Sequence, residues 1–159
     1  ENMNSFTDNS EISMGAADWL TVHRHRKRVN NTVETIEMLK SQGYRIVATT
    51  PHERDAFIDD IDLYRGKMAF FMGTELTGLS DDVLSRADEF VKVPMYGFTE
   101  SYNVSVCAAL LMYSVVQRLR QTDIDWHLPE EERYQVLFAW YKRSIKASAQ
   151  ILERFNHNE

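Results

Sequence analysis

The apolar positions of this chain change period several times, and each change predicts an element. Across 32–42 (TVETIEMLKSQ), Val33, Ile36, Leu39 and Lys40 recur at helical spacing. Asn31 or Thr32 is placed to cap that helix, and Gly43 to stop it as the C′ residue. The stretch 44–50 (YRIVATT) is β-branched and mostly apolar, the pattern of a buried parallel strand, and Pro51 ends it. An acidic loop at 59–66 leads to a second such run, 67–72 (KMAFFM). Residues 80–87 (SDDVLSRA) predict a short helix capped by Ser80. Asp81 and Asp82 fall in its first turn, where the helix dipole favours acids. A third strand is predicted at 89–93 (EFVKV), ended by Pro94. Residues 103–120 predict a long helix. Val106, Leu110, Tyr113 or Ser114, and Gln117 share one of its sides, and apolar residues occupy most of the others. Strand–helix–strand alternation of this kind predicts an α/β fold with a parallel sheet flanked by helices.

A separate element begins near residue 123, dividing the chain into an α/β domain at 1–122 and a helical extension at 123–159. Pro129 followed by Glu130, Glu131 and Glu132 is a strong helix start. Leu137, Trp140, Tyr141, Ile145, Ser148, Leu152 and Phe155 then recur at helical spacing, with most of the basic residues off that stripe. The pattern predicts one amphipathic helix docked on the core or on a partner subunit. A basic helix face that touches RNA is the alternative.

Composition narrows the classes. A chain of 159 residues can bury a real core, and 43% apolar with 26% charged residues is ordinary for a soluble globular protein. No run approaches the roughly 18 apolar residues of a membrane span, and no secretory pattern opens the chain, so a cytoplasmic protein away from membranes is expected. The one cysteine, Cys107, excludes an internal disulfide and sits in an apolar helical run as a structural thiol. A formal net charge of −6 argues against a protein coated with nucleic acid. His23, Arg24, His25, Arg26, Lys27 and Arg28 nevertheless form a dense basic block. It is either a solvated segment entering a helix or a contact for RNA phosphates. The polar, turn-rich opening ENMNSFTDNSE resembles the end of a strand and a loop, so a preceding segment is expected.

Chemistry concentrates in 70–113. The loop from Gly73 to Ser80 (GTELTGLS) follows one predicted strand, and the turn at Pro94–Gly97 follows another. Open α/β sheets bind ligands outside the carboxyl ends of their strands, and glycines let the backbone approach a ligand closely. Glu75 supplies an acid. Ser101 and Asn103 stand at the start of the long helix, where unpaired N–H groups favour caps and oxygen ligands. Neither a Walker loop nor the Gly-x-Gly-x-x-Gly fingerprint is present. The residues alone leave two readings open: a ligand site or two tight turns. No histidine has partners at metal-ligand spacing, so no metal is expected, and Ser101 has no evident base.

Together, FMGTELTGLS and VPMYGFTESYNVSVCAALL resemble the second and third motifs of the SpoU/TrmH family of RNA 2′-O-ribose methyltransferases, within the SPOUT class. The resemblance covers roughly 15–120, and the C-terminal helix resembles the extension of the tRNA-modifying branch. It implies an α/β fold with a trefoil knot, S-adenosylmethionine held by the knot loops, and a homodimer with a shared active site. It implies methylation of a ribose 2′-hydroxyl, with a tRNA guanosine as the expected target. An rRNA target, or a non-catalytic RNA-binding module of the same fold, are the alternatives. By this resemblance Thr49, Gly73, Val93, Met95 and Tyr102 correspond to cofactor contacts. Glu75 corresponds to the acid that orients a catalytic arginine, and Ser101 and Asn103 to the polar pair of the third motif. The basic block (Arg24, Arg26, Lys27, Arg28) becomes the expected RNA contact. Two departures stand out. Tyr102 replaces a leucine common in the family, which changes the pocket wall. The first motif, an Asn-x-x-x-x-x-Arg-like segment that carries the catalytic arginine, is expected upstream of Glu1, so the chain as given is expected to lack it and to be inactive by itself.

Overall fold

The computed structural model describes residues 15–25, 30–51, 56–98 and 101–157. They form two compact units, one within 25–125 and the other made of 15–24 with 126–157.

The first unit is a four-stranded parallel sheet. Its strands are β1 (Arg45–Thr49), β2 (Ala56–Phe57), β3 (Met68–Met72) and β4 (Glu89–Lys92), in the order β2-β4-β1-β3. Central β1 is flanked on both edges, which is why its Ile46, Val47 and Ala48 are fully buried. Side chains alternate across the pleat. Ile46 and Ala48 pack with Ile36 of α1 (Asn31–Ser41) and Val83 of α2 (Asp81–Leu84). Val47 and Val91 pack with Leu111 and Val115 of α3 (Val104–Leu119) and with Ile58, Ile61 and Leu63 from two short 3-10 turns.

The three predicted strands and the first and third helices form within a residue or two of their expected bounds. Several details differ for physical reasons. The cap of α1 is Asn30, whose Oδ1 accepts the Val33 N–H at 3.1 Å, while Asn31 is the first helical residue and is buried. Gly43 follows the helix with φ +82°, the left-handed geometry of a C′ glycine. The helix predicted at 80–87 is a single turn, and the buried Ser80 hydroxyl makes no capping bond. On α3 the buried side is Leu111 and Val115, with Cys107 and Leu119 packed beside them. The side marked by Val106, Leu110 and Tyr113 is exposed. A helix apolar nearly all round does not announce which face docks. Polar contacts decide it: Arg118 donates to the Ile58 and Ile61 carbonyls (2.9 and 2.6 Å), and Ser114 Oγ to Asp59 (2.7 Å).

The amino-terminal edge of the sheet is tied by charge. Buried Arg45 pairs with Glu89 at 2.5 Å and also donates to the Asp62 carbonyl; Arg65 joins Glu89 from outside. Asp88 Oδ2 accepts the Ile46 N–H at 2.7 Å, and its Oδ1 pairs with Lys40 at 2.9 Å. Both contacts fix where β4 enters beside β1.

In the second unit, Trp19 of the turn Ala16–Trp19 meets Trp140 edge-on at 5.5 Å, and Arg143 donates to the Asp18 carbonyl. The single helix expected after Pro129 is instead two, α4 (Glu130–Ser144) and α5 (Ser148–Asn156). Serine hydroxyls donate to carbonyls at the break. Ser144 Oγ takes the Trp140 carbonyl at 3.0 Å, Ser148 Oγ takes that of Lys142 at 2.8 Å, and Ile145 turns extended between them. No helix among the described residues is long and apolar enough to cross a membrane.

Burial works to raise the pKa of Asp88, but the Ile46 N–H, the Lys40 ammonium and the Arg65 charge outweigh it and hold the carboxyl below its usual range. Folding depresses this pKa. The stabilisation is therefore complete above the unfolded value of about 3.9 and is lost as pH falls through the folded value. Asp88→Asn should destabilise the chain by about 1 kcal/mol at neutral pH, a partly exposed charge-assisted bond being lost. In denaturant titrations the gap to the parent chain should close as the pH drops below about 3.9.

Candidate functional site

Parallel register brings three strand ends to one level: Thr49 lies opposite Met72 on one side and Val91 on the other. The Thr50 N–H continues the pairing to the Val91 carbonyl at 3.0 Å. The connections after β1, β3 and β4 therefore leave from the same edge, where open α/β sheets hold ligands.

The loop after β3 closes on itself. Thr74 and Gly78 exchange backbone hydrogen bonds, each 3.0 Å, and the Thr74 and Thr77 hydroxyls meet at 2.7 Å. Gly78 takes φ +67° to complete the ring. Gly73 is required by contact: a Cβ there would stand 2.2 Å from the Gly78 carbonyl carbon and 2.6 Å from the Leu79 nitrogen. The ring presents Glu75 and Leu76 at its tip, with Leu76 97% exposed.

The loop after β4 runs from Pro94 to the start of α3. Tyr102 Oη donates to the Pro94 carbonyl at 3.0 Å. Asn103 caps α3, its Oδ1 accepting the Ser105 N–H at 2.9 Å. Its Nδ2 reaches across to donate to Glu75 Oε1 at 2.7 Å, joining the two loops.

Between them lies a cleft of about 510 Å³. Thr49, Gly73, Glu75, Val93, Met95, Ser101 and Tyr102, all expected from the sequence, line it. Asn103 is not among the lining residues and reaches the cleft through Glu75. Arg24 belongs to the second unit, and Arg26, Lys27 and Arg28 lie outside the described residues. The sequence reading missed Thr50, Phe57, Met72 and Lys92 as lining residues. Their position at or just after strand ends was the available signal. Lys92 Nζ lies 4.6 Å from the centre of the Phe57 ring. Cys107 also lines the cleft; burial pushes its thiol pKa up, so it stays protonated at neutral pH and is a poor nucleophile.

Chemically, the cleft combines an apolar wall (Val91, Val93, Met95, Val104) with hydroxyls from Thr49, Thr50 and Ser101. That mixture is the ordinary make-up of a small-molecule site. No histidine is among its described lining residues. Glu75 is the carboxylate at its mouth, oriented by an uncharged amide.

The sequence pattern of the SpoU rRNA Methylase family matches residues 3–113. A tRNA (guanosine(18)-2'-O)-methyltransferase of Borreliella burgdorferi is 41% identical over 146 residues, 92% of this chain. The chain spans 65% of that relative's length. The crystal structure of the A. aeolicus TrmH/SpoU tRNA modifying enzyme superposes with a TM-score of 0.70 at 26% identity, covering 92% of this chain and 73% of the other. The SpoU methyltransferase AviRb from Streptomyces viridochromogenes, crystallised with AdoMet, shares the fold at 24% identity and a TM-score of 0.51, over 60% of this chain and 38% of the other. The family pattern runs through both loops of the cleft and into α3, and this chain belongs to the SpoU rRNA Methylase family.

Proposed function

We propose that this chain is the cofactor-binding body of an S-adenosylmethionine-dependent RNA methyltransferase acting on a ribose 2′-hydroxyl, with guanosine 18 of tRNA as the target. The observation that carries the reading is the hydrogen bond from Asn103 to Glu75, which holds a carboxylate at the mouth of a cleft built from three parallel strand ends. The tRNA-methylating activity for which the Borreliella burgdorferi relative is named supports tRNA over rRNA.

The cleft fits the cofactor. Its volume lies within the range of small-molecule sites, roughly 300–1,000 Å³. Val93 and Met95 offer an apolar wall for a purine, with Gly73 letting the ring after β3 close on itself beside it. When bound, S-adenosylmethionine supplies a methyl group on a positively charged sulfur. The chain's part is to fix the angle between that methyl and the hydroxyl, and to manage the departing proton. Asn103 occupies Glu75 Oε1, leaving Oε2 to hold the arginine that the family resemblance implies. That arginine would lower the pKa of the hydroxyl or take its proton. The same reading includes a trefoil-knotted backbone, a cytoplasmic setting and RNA phosphates on Arg24 and its basic neighbours. It also includes a homodimer. The exposed apolar side of α3 supports the dimer, with Tyr113 68% exposed beside Val106 and Leu110.

Two measurements test the proposal. In the full-length protein, Glu75→Ala and Asn103→Ser should each lower methyl transfer from labelled S-adenosylmethionine into unmodified tRNA by roughly 100-fold. Serine retains a capping oxygen, so Asn103→Ser should fold almost as stably as the parent. Normal transfer by either variant rejects the paired role, and no incorporation by the parent protein into tRNA or rRNA rejects the enzyme. Separately, Gly73→Ala should cost about 2 kcal/mol of stability by overpacking the ring. Calorimetry should show S-adenosylhomocysteine binding weakened with it; unchanged affinity would mean the ring does not shape the cleft.

A further inference from the structure

We propose that Arg118 is a positioning residue for the cleft: it pins the turn at Ile58–Asp60 and so sets where Phe57 stands in the cleft wall. This rests on the functional reading above and gives a task to a residue that is not among the cleft's lining.

Phe57 is the aromatic residue that the lining takes from β2. Its side chain is 43% exposed, so its own packing holds it weakly and its backbone must place it. On one side that backbone is set against Lys92, its partner in the register of β2 with β4. A strand of two residues at the edge of a sheet supplies few ladder bonds. On the other side the chain enters the turn at once. Phe57 is the cap residue of that turn, extended at φ −72° and ψ 148°, and its side chain makes no capping bond.

Arg118 closes the turn from α3. One guanidinium nitrogen donates to the Ile58 carbonyl at 2.9 Å, and the other to the Ile61 carbonyl at 2.6 Å. These acceptors bracket the turn, so one side chain fixes its entry and its exit together. The rigid, planar fork of arginine suits that task better than the point charge of lysine. Beneath, Ile58 and Ile61 are buried in one cluster with Leu111 and Val115 of the same helix, and Ser114 Oγ donates to Asp59 at 2.7 Å. The turn is therefore referred to α3 through carbonyls as well as side chains. The helix that Asn103 caps, and that puts Val104 and Cys107 in the lining, also places Phe57. Removing the guanidinium leaves the apolar contacts of the turn and frees its two ends. The loss passes to Phe57, which directly precedes Ile58.

Arg118→Met, which keeps an apolar stem and removes the donors, tests this in the full-length protein. It should raise the Kd for S-adenosylhomocysteine, measured by calorimetry, about tenfold, which equals about 1.4 kcal/mol. Arg118→Lys should show the same change at smaller size. Phe57→Leu should weaken binding to a similar extent. Adding Arg118→Met to it should weaken binding little further, as expected of a residue that acts through the ring. In the ligand-free proteins, amide exchange at 56–61 should accelerate in Arg118→Met, while the core of β1 keeps its protection. Losses that multiply in the double variant overturn the positioning role, and so does unchanged exchange at 56–61. Normal affinity in Phe57→Leu overturns it as well. Failure of the parent to bind S-adenosylhomocysteine would overturn the functional reading instead, and the exchange result would still decide whether Arg118 pins the turn.

Discussion

Everything at the cleft depends on the register of β1 against its two neighbours. Thr49 faces Met72 and Val91 at one level, so the chain leaves three strands at one edge and the following loops must meet there. The register is set far from the cleft. Asp88 captures the Ile46 N–H, and Arg45 pairs with Glu89, where β4 begins. A slip of one residue would exchange the two faces of the strand, setting Val47 where Ile46 now packs. Two core clusters on opposite faces, one under α3 and one under α1 and α2, oppose any such slip.

From that register the loops inherit their geometry. The ring after β3 cannot drift, because Gly73 and Gly78 are in contact and the Thr74 exchange with Gly78 closes it. The loop after β4 is tied at its start to the sheet and at its end to α3. The hydrogen bond between Asn103 and Glu75 is then a consequence of two independently fixed loops. It spans 28 positions in the sequence, and no local rule pairs them.

This explains what the sequence could disclose. β1 was legible because a strand buried on both faces is written as an apolar, β-branched run; β3 showed as five apolar residues in a row, and β4 as a short run ended by Pro94. β2 was not: Ala56 and Phe57 are two residues on an exposed edge, too few to show a period. The two loops were legible as candidates, since each follows a strand and carries glycine, an acid or a capping amide, although the residues alone left them open as tight turns. Their joining was not, because it is a property of the sheet. On α3 the apolar content hid the docking face, which Ser114 and Arg118 chose through hydrogen bonds to the turn at 58–61. At the C-terminal end, the helical spacing ran straight through a break at Ile145, where two serine hydroxyls donate to helix carbonyls.

The identity of the residue that holds Glu75 also bears on mechanism. A lysine or arginine at 103 could orient the carboxylate equally well, and it would neutralise it. Asparagine orients Glu75 while leaving its charge intact, and it keeps a side-chain oxygen for capping α3, which a basic residue could not do. The carboxylate at the mouth of the cleft therefore has one oxygen committed to Asn103 and, among the described residues, the other available. On the proposed reading that is the condition an incoming arginine requires: a fixed carboxylate, uncompensated by its own support, presented beside the methyl donor's cleft. On that reading the neutral amide leaves Glu75 open to a cation, where a charged partner would have made it a closed ion pair.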